Sequence, residues 1–517
     1  MKKSLVSVAV AAVWLTVFAS AARAEGLTVG VAALATSVDP QFYVGGANGA
    51  LSRSLFDGLV NQDEKQHIVP GLATAWDTPD ANTWRFHLRQ GVKFHDGSDF
   101  TAKDVVASIQ RIPLAGKNSP SSYLPYIADI ASVRAIDPLT VEIKTHYPAA
   151  LLLNNLSRIA ILPASLEKTA GDVLNSGKQV TGTGPFKFVS WTPDDQVVLQ
   201  RNDNYWGGKA DWERVTLKVY KNNSARVAAL LAGDADIIES VPSADQRNIS
   251  RQPQLTSVSV AGNRLLYLHP DQDRDQSPFV SAPQGGNPLK KVQVRQAMSL
   301  AINRQAIIDR LYEGQGSSAS QLVPEGYFGY SPRIPAAAYD PAQAKKLLTD
   351  AGYPQGFTLT FQASNDRYPN DARVAQALGQ MFSRVGIKTS VETMPGSVYF
   401  SRAAKRDFSL VMGGAAIETG EASGILGPLL ETWGPGAGQG NRGRYTNATF
   451  DRLLNQARST LDTRQREQLL QQAAELAISQ QGVIPLIFLA NTWAMKNSYS
   501  YPGRSDGFTL PYFIHQH

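Results

Sequence analysis

The residues able to do covalent or metal chemistry are few in this chain and badly spaced for it. Cysteine is absent, so no thiolate nucleophile, disulfide or thiolate metal site can form. The seven histidines are His67, His87, His95, His146, His269, His515 and His517. No two stand at the spacing that puts imidazoles on one helix face to share a metal. There is no G-x-S-x-G elbow and no H-E-x-x-H. Gly177-Lys178 resembles the end of a phosphate loop, but the glycine five residues earlier is missing and Gln179 replaces the Ser or Thr. The run Gly434-Pro-Gly-Ala-Gly-Gln-Gly440 follows no strand and reads as a loop. Carboxylates are plentiful, yet no spacing singles out a glycosidase pair. Aromatic and basic residues do not form stripes, which argues against single-stranded nucleic acid. The chemistry expected is therefore binding without catalysis, with no cofactor and no metal.

The elements that must position such a site are those of an α/β protein. The chain has 517 residues, of which 43% are hydrophobic and 18% charged, far from a disordered composition. Single cores stop growing near about 250–300 residues, so the length demands more than one core. Lys2 and Lys3, the uncharged run from Leu5 to Ala19 and Ala22-Arg23-Ala24 have the layout of a secretory signal peptide cut after Ala24. Its loss takes three of the positive charges behind the formal +6, leaving too little for a nucleic-acid partner. Beyond it, Trp84, Phe86 and Leu88 alternate with polar residues, as on a half-buried strand. Thr101 with Asp104 forms a capping box for a helix over 102–111. Residues 291–312 carry apolar side chains at helical spacing. Residues 271–287, rich in Asp, Gln, Ser, Pro and Gly, read as a linker or surface loop. Strands near 357–362, 387–392 and 407–412 alternate with helices near 341–351 and 372–385.

One family resemblance runs along the whole chain after the leader. Leu55-Phe-Asp-Gly-Leu-Val60, Ile68-Val-Pro-Gly-Leu-Ala73, Trp76 and the block from Thr83 to Gly97 and Val106 carry it first. Thr181-Gly-Thr-Gly-Pro-Phe-Lys-Phe188, Asn202-Asp-Asn-Tyr-Trp206, Leu231-Ala-Gly-Asp-Ala-Asp-Ile237, the segment 292–303 and Tyr339-Asp-Pro-Ala follow in order. Together they resemble the extracellular solute-binding proteins of family 5, which serve ATP-driven importers of peptides and nickel.

The resemblance implies a two-lobe periplasmic-binding-protein fold, type II, of the large class. Lobe I is expected at 25–268 plus 488–517, with an extra subdomain at about 58–176. Lobe II is expected at 269–487, with crossings near Leu266-Tyr-Leu268 and Pro485-Leu-Ile487. It further implies a monomeric periplasmic receptor that captures short peptides and delivers them to a membrane permease. A non-peptide solute (an opine or other amino-acid conjugate, a glutathione-like compound, nickel or haem) is the alternative cargo, and an exported hydrolase the alternative class. The acid that holds a peptide ammonium in the family falls on Glu418, with Ala415 in place of a Trp. Arg367 and Tyr368 fall on a segment that touches the ligand's other end. Gly45 and Asn48 lie on the matching first-lobe loop, and Trp433 and Tyr445 are candidate walls.

Overall fold

The computed structural model describes residues 26–117, 119 and 121–517, so the leader expected at 1–24 lies outside the described residues. One mixed sheet of twelve strands runs through the molecule. At one end, Gly26–Val31 pairs in parallel with Arg214–Val219 and Ile237–Glu239. At the other, Phe357–Ser364 pairs in parallel with Ile387–Met394 and Leu410–Ala416. Two long strands, Leu255–Pro270 and Ile484–Lys496, join the ends and pair with each other antiparallel.

Each long strand serves both faces of the sheet because its side chains alternate, and both ends because it runs from one to the other. Leu266 and Leu268 enter a core with Phe361, Leu378, Phe382 and Met412. Leu265 and Tyr267 enter a separate helical core with Leu426, Phe450 and Leu470. The far end of the second long strand gives Trp493 and Met495 to a third core, around Leu27, Val29 and Phe186. A fourth core lies in the four-stranded sheet formed within 73–145 and includes Trp84, Phe86 and Leu88. Their burial is what the alternation requires.

The first long strand is broken where it changes partners. Its pairing with the second strand shifts register between Ala261 and Leu265, and pairing with Leu410–Ala416 starts at Arg264. A Cβ on Gly262 would lie 2.3 Å from the Leu489 carbonyl oxygen, so only glycine fits this approach.

Two sequence expectations need adjustment. The helix expected over 102–111 starts as its capping box dictates, with Thr101 N–H donating to Asp104 at 2.7 Å, but continues to Ala115. The single helix expected over 291–312 is two helices, Val292–Ala301 and Arg304–Leu311. Ile302 is extended, and the Asn303 side chain accepts from the Ala306 N–H, capping a new helix.

His95 ties the four-stranded unit to the segment at 182–184. Its Nε2 lies 3.0 Å from the Gly184 carbonyl, and its Nδ1 accepts from the Gly182 N–H at 3.2 Å. Burial holds its pKa down to about 4, against the opposing pull of the Gly184 bond. An unfolded chain binds a proton here near pH 6.5. Below that pH the unfolded state takes up a proton that the folded state refuses until about pH 4. Stability contributed by neutral His95 is thus complete above pH 6.5 and falls as the pH drops towards 4. His95→Gln is expected to have a lower melting temperature at pH 8 and a shallower loss between pH 6.5 and 4. A pH series of thermal melts checks this, and parallel profiles for parent and variant would exclude it.

Candidate functional site

Two cavities open between the two ends of the sheet. The first, of about 190 Å³, is lined by the 44–58 loop and helix, by 157–160, by the bulge and by Ala416 and Glu418. The second, of about 500 Å³, is lined by 239–243, by 367–370 and by the second long strand at 489–493. Arg264 and Asn491 line both, so the partner-changing bulge forms their common wall.

Four of the residues singled out from sequence meet here. Glu418 and Gly45 line the first cavity, Arg367 and Tyr368 the second. Glu418 follows the strand Leu410–Ala416 and its side chain is 51% exposed. Its carboxylate accepts from Arg158 Nη2 at 2.8 Å, and Arg158 Nη1 also donates to the Glu418 carbonyl at 2.6 Å. Gly45 precedes the helix Gly46–Leu55, and a Cβ there would stand 2.5 Å from the Tyr43 ring. Tyr368 is buried, and its hydroxyl pairs with the Gly414 backbone, donating at 3.2 Å and accepting at 2.9 Å. This fixes the ring that the Arg367 guanidinium overlies at 5.3 Å.

The other three lie elsewhere, each for a physical reason. Asn48 is turned to its own loop, accepting from Thr36 N–H at 3.2 Å and donating to the Ser37 carbonyl at 3.3 Å. Tyr445 is packed in the helical core with its hydroxyl on Gln480 at 3.0 Å. Trp433 is half exposed under the Arg444 guanidinium, 4.4 Å from the ring centre. None of the three lines either cavity.

Sequence reasoning missed three arginines. Arg53 lines the first cavity beside Asp506 at 3.6 Å, and burial pulls its pKa down to about 10 despite that acid. Arg158 directly precedes the apolar run 159–162, and Arg264 directly precedes the run 265–268 after Gly-Asn. A charge at the mouth of an apolar run was the available signal for both.

The loop bearing Glu418 is held from several sides. Gln66 Nε2 donates to the Ile417 carbonyl at 3.2 Å, while its Oε1 accepts from Asn263 at 2.8 Å and Tyr327 at 2.9 Å. Asn154 donates to the Thr419 carbonyl at 2.8 Å. The lining acid Asp57 is buried, and burial raises its pKa against hydrogen bonds from Trp206, Thr183 and Tyr205.

Two α/β bodies sharing one sheet through two long strands, with a polar cleft at that junction, define a periplasmic binding protein. The chain belongs to the bacterial extracellular solute-binding proteins, family 5, whose model matches residues 67–436. It is 30% identical over 473 residues to heme-binding protein A of Haemophilus influenzae, spanning 86% of this chain and 83% of that one. It is also 30% identical over 481 residues to di/tripeptide-binding protein 1 of Pseudomonas aeruginosa, spanning 87% and 86%. The structure of HbpA2 from Haemophilus parasuis matches with a TM-score of 0.81 at 26% identity, over 95% of this chain and all of that one.

Proposed function

We propose that this protein is the periplasmic receptor of an ATP-driven importer and that its cargo is a short peptide. The observation that carries the reading is the placement of Glu418 and Arg367 on two cavities that share a wall. An acid can take a peptide's ammonium, and an arginine fork its terminal carboxylate. The likeness to a di/tripeptide-binding protein supports the same assignment. No His, Met or Cys lines either cavity, so neither offers haem or nickel a soft or imidazole ligand.

In this reading the lobes are 25–268 plus 488–517 and 269–487, with the extra subdomain at about 58–176. They swing about the broken strand at 262–264 and its neighbour. Closure follows from tighter binding of the closed state, and the closed monomer then docks on a membrane permease. The cargo leaves unchanged. Calorimetry with di- to pentapeptides is expected to give one-to-one binding without turnover. Binding of a different solute class and no peptide would overturn the peptide assignment. Hydrolysis of a bound peptide would overturn the receptor reading.

A further inference from the structure

The cleft holds two guanidiniums that no carboxylate among the described residues pairs with. Its two cavities are lined by four arginines, Arg53, Arg158, Arg264 and Arg367, and by no lysine or histidine. The lining acids are Asp57, Glu418 and Asp506 in the first cavity and Glu239 in the second. Each is already engaged. Glu418 is paired with Arg158, and Asp506 with Arg504 at 2.7 Å and Arg53 at 3.6 Å. Asp57 is deep in the protein and accepts from Thr183, Tyr205 and Trp206, which occupy both of its oxygens. Glu239 is held by the Ala32 N–H at 2.9 Å and the Thr509 hydroxyl at 2.7 Å.

Two guanidiniums are left without a hydrogen-bonded acid. Among the described residues no acceptor lies within hydrogen-bonding reach of the Arg264 guanidinium, and that of Arg367 has only the Tyr368 ring. Arg264 is half-buried at the wall shared by both cavities. Burial and then the Arg367 charge depress its pKa, against weaker support from Tyr368 and Glu418. Two like charges held together in a partly desolvated cleft are a cost unless an anion joins them. A zwitterionic peptide brings one carboxylate, so it leaves one of the two guanidiniums unpaired.

We propose that Arg264 and Arg367 are two carboxylate subsites and that the cargo is an acidic short peptide, with a side-chain carboxylate besides its C terminus. This rests on the peptide reading above. A peptide with one Asp or Glu places its ammonium at Glu418 and one carboxylate on each free arginine. Arg264 then joins the two cavities into one site, because the ligand spans the wall that it forms.

The test uses calorimetry on the purified protein with Ala-Glu, Glu-Ala and their amide isosteres Ala-Gln and Gln-Ala. At least one acidic dipeptide is expected to bind about tenfold to a hundredfold tighter than its isostere, the worth of one charge-assisted hydrogen bond. Arg264→Gln is expected to close that gap, so that acidic dipeptide and isostere bind alike. Arg264→Lys keeps part of the gap and reads the same point if the Gln variant does not fold. The ligand-free Gln variant is expected to melt no lower than the parent, since the change removes an uncompensated charge. Equal affinities for acid and amide overturn the acidic-cargo inference and leave the peptide reading standing. If none of these dipeptides and no tri- to pentapeptide binds, the peptide reading falls. Glutarate then decides the subsite: Arg264-dependent binding keeps it, and no binding removes it.

Discussion

Glu418→Gln is expected to weaken binding of free-amine peptides by about 1.5–3 kcal/mol, which is roughly tenfold to 150-fold in Kd. The change keeps shape and hydrogen-bonding reach but removes the charge that an ammonium would meet. It also removes the acid from the Arg158 pair at 2.8 Å. That second loss is small, because the Glu418 side chain is 51% exposed and such pairs are worth about 0–1 kcal/mol. It applies equally to a free peptide and to its N-acetyl form, whereas the ammonium interaction applies only to the first. The difference between the two ligands therefore isolates the anchor. Equal losses for both would remove Glu418 as the ammonium site and leave it as a clasp for Arg158. Arg158→Gln supplies the converse. It frees Glu418 from competition, so acetylated and free peptides should move apart rather than together.

Much of the scaffold was legible because it is locally encoded. The alternation at Trp84, Phe86 and Leu88 needs only neighbours in sequence, as does the Thr101–Asp104 capping box. The split at Ile302-Asn303 was readable in principle, since Asn is a strong helix start, but apolar spacing on both sides hid it. The site was legible only in part. Glu418 was singled out by its match to the family's acid, yet the Arg158 that pairs with it is 260 residues away. Nothing local joins the two. The same holds for Arg264, whose importance comes from standing where a strand changes partners. Trp433 and Tyr445 show the opposite error. Large aromatics near a binding strand are as ready to fill a core or cover a surface as to wall a pocket, and only packing decides. Here Tyr445 joins the helical core and Trp433 lies under Arg444.

Arg111→Met is expected to cost about 3–5 kcal/mol of stability, the penalty for stranding a buried charge. Arg111 and Asp39 are both fully buried, and their two hydrogen bonds measure 2.7 and 3.1 Å. The guanidinium spends its remaining reach on the Thr169 carbonyl at 2.9 and 3.1 Å and on Gln41 at 3.1 Å. Gln41 in turn donates to the Ser108 and Ala160 carbonyls, each at 3.0 Å. One satisfied network thus joins the loop at 39–41, the helix Ala102–Ala115 and the segment that carries Arg158 to the cleft. Methionine fills much of the space but leaves the Asp39 carboxylate buried without its cation. Asp39→Asn combined with Arg111→Met is expected to recover part of the loss, because no net charge then stays buried. Urea unfolding of the two single variants and the double gives the coupling directly. Binding should weaken in Arg111→Met even where the protein is folded, since Ala160 and its neighbour Arg158 lose a fixed support. A single-variant loss under about 1 kcal/mol, the scale of an exposed pair, would mean that water reaches Asp39 and that this junction is looser than its packing implies.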